Sequence, residues 1–228
     1  SVAGVPTIGS VTEDGVVDVS TAASEFATVL APPGIAAARV LTNEREAVHA
    51  LDDVQPLLPI APGARVFCVG QNYVEHIREM GYEIPEYPSI FMRTHESFAP
   101  NGAAIVKPRV SDQFDYEGEL TVVIGSHARH VVEAEALDSV AGYTIMNDLS
   151  ARDHSKRPDW PRWGVDWFGH KNFDGAAPMG PWIVPADQIA DPYELPIKLW
   201  VNEEKMQDSE VKYLIFNDCG LDRGELFL

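Results

Sequence analysis

Residues 114 to 124, Phe-Asp-Tyr-Glu-Gly-Glu-Leu-Thr-Val-Val-Ile, constrain the chain more than any other stretch. A strand turns alternate side chains to opposite faces, so Glu117 and Glu119 share one face and Gly118 between them lets another group approach the backbone. Leu120 to Ile124 reads as a buried strand, which fixes the two carboxylates on a rigid element. Like charges held this close repel, and a divalent cation is the simplest remedy. Asp148, at the end of the apolar run Gly142 to Met146, supplies a third hard oxygen donor, a set that suits Mg²⁺ or Mn²⁺ rather than Zn²⁺. The alternative is a solvated acidic face, because the chain carries 35 acidic against 17 basic residues.

That imbalance, a net charge of −18, opposes nucleic acid and anionic membranes as partners, and an anionic substrate then needs a local positive centre. Lys171 and Arg93 are candidates for it, though isolated cations are also ordinary surface residues. Arg152 is expected to form a structural ion pair with Asp148. The 228 residues, 45% of them hydrophobic, suffice for one main domain with a small appendage. Cys68 and Cys219 are too few for a disulfide framework, and neither a signal pattern nor a membrane-crossing apolar run is evident, so a cytoplasmic protein is expected.

In chain order, Glu13-Asp14-Gly15 between apolar runs predicts a hairpin. Asn43 with Glu46 predicts a short helix to about Asp52, and the proline-rich stretch 55 to 63 is a linker. A small N-terminal domain over residues 1–61 and a catalytic domain over 62–228 follow. Strands are expected at Arg65 to Gly70, Ile90 to Arg93 and Ala103 to Val106. Asn72 and Glu75 predict the cap of a helix ending at Gly81, with His76 and Glu79 on one face as either a general base with its orienting carboxylate or a surface salt bridge. Val132 to Val140 reads as a helix, His154 to Gly169 as a long loop over a site, Pro178 to Pro181 as a turn, and Ile197 to Val201 as a strand entering a tight turn. His127 and His130 have metal-binding spacing if helical and are loop surface if not. No Gly-x-Gly-x-x-Gly, Walker loop, Gly-x-Ser-x-Gly or Cys-x-x-Cys occurs. The pattern predicts a β-dominated α+β domain.

Together, Val69-Gly70-Gln71-Asn72-Tyr73 with His76 and Glu79, Asp115 to Leu120, Ala141 to Thr144, Asn147-Asp148, Ser150 to Asp153, Lys171 with Phe173-Asp174, and Pro178 to Trp182 resemble the fumarylacetoacetate hydrolase family, which includes acylpyruvases and fumarylpyruvate hydrolases. The resemblance runs from about Arg65 to Gln207. It implies a mixed β-sandwich roll binding one Mg²⁺ or Mn²⁺ through Glu117, Glu119 and Asp148, with Lys171, His76 and Glu79 catalytic and Gln71, Tyr73 and Arg93 touching a small anionic 2-oxo acid, usually in a homodimer. Arg93 stands where members commonly carry lysine. The expected activity is hydrolysis of 2,4-dioxo acids through a metal-stabilised enolate; oxaloacetate-type decarboxylation or isomerisation on the same site, and a non-catalytic scaffold, are the alternatives. Members continue past the segment matching Leu214 to Asn217 into further strands and a Gly-Thr-Pro motif, which Asp218 to Leu228 does not match, so the domain is expected without those strands.

Overall fold

The computed structural model describes residues 6–156 and 164–216. The chain opens with the expected hairpin, β1 (Gly9–Thr12) and β2 (Gly15–Asp18), whose turn is closed by Thr12 opposite Gly15. Helices α1 (Phe26–Leu30) and α2 (Pro32–Glu44) follow. The helix expected from Asn43 to Asp52 is not there. Pro32 and Pro33 start α2 where their missing N–H groups cost nothing, the alanines after them propagate it, and Asn43 falls in its last turn. Beyond it His49 bridges to Val16 instead, extending the hairpin. Arg39 of α2 ion-pairs with Asp187, tying this N-terminal part to the rest.

The main body begins with β3 (Phe67–Gly70), which pairs antiparallel with β4 (Ser89–Met92) across helix α3 (Val74–Glu79). Asn72 does not cap α3. Its side chain donates to the Phe216 carbonyl and accepts from the Phe216 amide, both at 2.8 Å, so its amide is committed to a segment far along the chain. Next come β5 (Phe98–Pro100), β6 (Phe114–Asp115), β7 (Gly118–Ile124) and β8 (Val140–Asn147). Ala103 to Val106 is not a strand; Val106 is 75% exposed, and with no neighbouring strand its apolar residues have no ladder to join. Glu133–Ser139 is wound as 3-10 turns rather than an α-helix.

After β8 lie β9 (Ser150–Ala151), α4 (Arg152–Ser155) and α5 (Trp167–Lys171), the two helices occupying the ends of the segment expected to be irregular. Residues 157–163 of that segment, like Asp218 to Leu228, lie outside the described residues. β10 (Ala177–Met179) takes Pro178 and Met179 into a strand where a turn was expected, because it runs parallel to β5 and touches β8 at Met146. β11 (Val184–Pro185) pairs with β8, and β12 (Pro196–Val201) and β13 (Glu204–Glu210) form the predicted hairpin with Asn202 at its turn. Strands β7, β8, β10, β5 and β11 make one mixed sheet. Phe98, Met146, Ala177 and Met179 form its core, with Leu58, Ile60, Val66 and Cys68 packed against them.

One interruption in this architecture matters most. The run 114–124 pairs with 140–151 twice, as β6 with β9 and as β7 with β8, and the two ladders break at Tyr116-Glu117 opposite Asp148-Leu149. Side chains at such a break are released from the sheet's alternation.

Candidate active site

Glu117 sits in that break with its backbone fixed: its amide donates to Asn147 Oδ1 at 3.0 Å, and its carbonyl accepts from the Asp148 amide at 2.7 Å. Glu119 is one residue inside β7, opposite Met146. Between the two, the space at Gly118 is filled by Gln207 of β13, whose Oε1 accepts from the Gly118 amide at 2.6 Å. A Cβ at Gly118 would stand 3.2 Å from that oxygen and 3.3 Å from Leu199. The glycine expected to admit a close neighbour does so.

Lys171, at the end of α5, is 1% exposed. Its ammonium donates to Glu117 Oε2 at 3.0 Å, to the Asp148 carbonyl at 3.1 Å and to Asp148 Oδ2. Packing places it there: Trp167 stacks on Phe91 at 4.8 Å, and Gly70 makes room, since a Cβ on it would meet the indole at 2.4 Å. Arg93, also buried, donates to the other Asp148 oxygen, to the Lys171 carbonyl and, at 2.9 Å, to the Leu149 carbonyl. It stands behind Asp148 and is not among the residues lining the adjoining cavity.

Arg152 does not ion-pair with Asp148 as expected. Because β6 and β9 pair, it reaches Asp115 at 2.9 Å and Glu117 at 2.6 Å, and Ser150 donates to the same Glu117 oxygen at 2.6 Å. Glu117 therefore has Ser150, Arg152 and Lys171 around it. Among the described residues, none forms a hydrogen bond or ion pair with the Glu119 carboxyl. Burial first, then the charges of Glu117 and Asp148, hold its carboxyl well above the ordinary range.

The three carboxylates thus share one electrostatic neighbourhood, and their hard oxygens suit a divalent cation such as Mg²⁺ or Mn²⁺. Among the described residues, however, no group of three His, Cys, Asp or Glu side chains is closed into a ready cage. Glu117 and Asp148 turn instead to Lys171. The residues fit such an ion in kind, and it would compete for the oxygens that Lys171 now holds.

A cavity of about 1190 Å³ opens over this cluster, lined by Glu117, Glu119, Asp148, Lys171, Gln71, Tyr73 and His76 among others. Glu79 lies 3.9 Å from His76 Nδ1 and is 79% exposed, a loose pair on the outer turn of α3. Gln71 adopts φ 58°, an uncommon conformation for a residue with a Cβ. His127 and His130 line the cavity from irregular chain, not a helix.

His170, which sequence reasoning passed over, is 1% exposed, lines the same cavity, and donates from Nδ1 to the Asp166 carbonyl at 2.5 Å. Burial lowers its pKa, which favours the neutral ring. Its only sequence signal was adjacency to Lys171.

Comparison with known proteins follows the same residues. Residues 65–218 match the family described as fumarylacetoacetate (FAA) hydrolase, C-terminal. A Dictyostelium discoideum homologue of fumarylacetoacetate hydrolase domain-containing protein 2 is 41% identical over 167 residues, 70% of this chain and 53% of that protein. The human mitochondrial oxaloacetate tautomerase FAHD2B is 38% identical over 164 residues, 72% of this chain and 51% of the relative. The chain thus spans about half the length of these curated relatives. The crystal structure of fumarylpyruvate hydrolase from Pseudomonas aeruginosa, in complex with Mn²⁺ and pyruvate, superposes with a TM-score of 0.63 at 32% identity, covering 71% of this chain and 70% of that one.

Proposed function

Because this chain belongs to the fumarylacetoacetate hydrolase family, we propose that it is a divalent-metal-dependent hydrolase that cleaves the carbon–carbon bond of acylpyruvate-type 2,4-dioxo acids. The observation that carries this reading is the meeting of three carboxylates, a buried ammonium and a histidine on one cavity. Glu117, Glu119 and Asp148 would hold Mg²⁺ or Mn²⁺. When bound, such an ion polarises the oxygens of a 2-oxo acid.

The remaining work falls to the chain's own side chains. Lys171 Nζ, fixed by Glu117 and Asp148, offers a desolvated positive charge to the substrate oxygen on which negative charge develops as the bond breaks. Arg93 is a positioning residue: it orients Asp148 and the end of α5 and touches no substrate. Arg152 and Ser150 hold Glu117 in one rotamer. His76, on the cavity wall with Glu79 behind it, takes the proton of the water that attacks the distal carbonyl.

A second reading, oxaloacetate-type decarboxylation or isomerisation, is supported by the human relative's being an oxaloacetate tautomerase and by the looseness of the His76–Glu79 pair. A proton shuttle at His76 suffices for isomerisation, without a held water. Product analysis separates the two. Acylpyruvates and, separately, oxaloacetate are incubated with the chain, with and without chelator and with Mg²⁺ or Mn²⁺ restored. Pyruvate plus a second acid supports hydrolysis, carbon dioxide or an enol–keto shift from oxaloacetate supports the second reading, and no metal-dependent turnover on either supports the non-catalytic scaffold.

A further inference from the structure

His170 is a buried titratable group that the proposed reaction does not yet use. Its ring is held from two sides. Nδ1 lies 2.5 Å from the Asp166 carbonyl, which can only accept, so Nδ1 carries the hydrogen. The ring also lies 5.3 Å from that of Trp167, which is itself stacked on Phe91. Burial favours the neutral form. A neutral imidazole with its hydrogen on Nδ1 bears a lone pair on Nε2, so the bond to Asp166 settles the tautomer as well as the orientation.

Among the described residues none bonds to Nε2, and Nε2 is not sealed from solvent. Because the side chain is 1% exposed and lines the cavity, the little surface it shows opens there. The charges acting on the ring are those of Lys171, Glu117 and Arg152, which puts it on the Glu117 side of the carboxylate cluster. His170 and Lys171 are consecutive on α5, about 100° apart around its axis, so imidazole and ammonium approach a bound molecule from different directions. A lone pair without a donor, beside a buried ammonium, is the pairing needed to move a proton next to a carbonyl.

We infer that His170 Nε2 removes and returns a proton at the carbon adjacent to the keto group of a bound 2-oxo acid. The inference rests on the site binding a 2-oxo acid, as argued above, and deepens that reading: enolisation falls to His170, and His76 keeps the water. In this step the C–H bond breaks and an Nε2–H bond forms. The C–H electron pair becomes the carbon–carbon double bond, and the carbonyl π pair moves to the oxygen, where Lys171 Nζ meets the charge. The imidazolium then gives its Nε2 proton back to the carbon or to the oxygen, and the ring is neutral again.

The test follows the methyl protons of pyruvate by NMR in deuterium oxide with the Mg²⁺-loaded full chain. Exchange should run above the protein-free rate. His170→Gln should slow it by about a hundredfold or more with pyruvate affinity, measured by calorimetry, unchanged. Added imidazole should restore exchange to His170→Gly, which it would not do for a histidine that only packs. In the metal-free parent protein, NMR of isotope-labelled histidine nitrogens should show His170 with Nδ1 protonated and Nε2 bare, a readout independent of turnover and of how the variants fold. Exchange that survives His170→Gln, loss of exchange together with pyruvate binding and without imidazole rescue, or a hydrogen on Nε2 in place of Nδ1 overturns the assignment. Pyruvate that binds the parent protein without exchanging overturns it while leaving the 2-oxo acid site standing, and pyruvate that does not bind removes both.

Discussion

Lys171 is the side chain on which most of the site's charge balance depends. Removing one partner of a buried ionic cluster leaves the others uncompensated, so Lys171→Met should destabilise the chelator-treated protein by about 3–5 kcal/mol. Thermal melts should show part of that loss recovered by added Mn²⁺, which supplies positive charge to the same oxygens, while turnover stays down by at least about a hundredfold. Glu119 behaves in the opposite sense. Its folded pKa is raised, so the native state binds more protons than the unfolded chain above the ordinary carboxyl range, and its contribution to stability is present at acid pH and lost as pH rises. In chelator, Glu119→Gln should therefore melt higher than the parent at pH 7 to 8, with the gap closing toward pH 4. A gap that widened on acidification would contradict this. Cys68, whose thiol burial pushes up to about 12, should escape iodoacetamide at pH 8 in peptide mapping of the native protein. At this scale the sequence was informative in placing Glu117 and Glu119 near one another about Gly118, although Glu117 lies in the break ahead of β7 and not on the strand whose alternation was the argument. It was silent on Lys171, Ser150 and Arg152 as partners of Glu117, because contacts spanning 33 to 54 residues leave no local pattern.

Among elements, the break between two ladders makes the site, and two glycines let other elements close on it. Gly70→Ala should push Trp167 off Phe91 and displace α5 with Lys171, costing about 1–3 kcal/mol and lowering kcat more than it raises KM. Denaturant melts and steady-state kinetics check it; a variant with parental kcat would show that α5 is held by other contacts. The hairpins β1–β2 and β12–β13 were legible because Asp-Gly, Asn-Glu and short apolar runs specify turns and strands locally, whereas helix α3 lies where it was expected without the Asn72 cap that signalled it. Helix α2 was missed because alanine favours helix without marking a face, and Ala103 to Val106 was mistaken for a strand because a strand needs a neighbour that composition does not reveal.

Taken whole, the molecule sets a strongly negative field around a cavity whose lining is net cationic. The wider field reaches further at low salt, since the screening length is about 30 Å at 0.01 M and about 8 Å at 0.15 M. For a dianionic substrate, kcat/KM should therefore rise between these ionic strengths as repulsion is screened, and a fall would mean that the cavity's own charge governs encounter. The family was legible in the sequence through motifs distributed over most of residues 65–218, while the direction in which the cavity runs required coordinates. The grip of Asn72 on Phe216 spans 144 residues and lies immediately before the helix that carries His76. On a ribosome, that helix emerges long before its fastening does. The start of α3 should thus gain this anchor only after residue 216 has been made, which ties the order of that helix to a contact of long sequence separation.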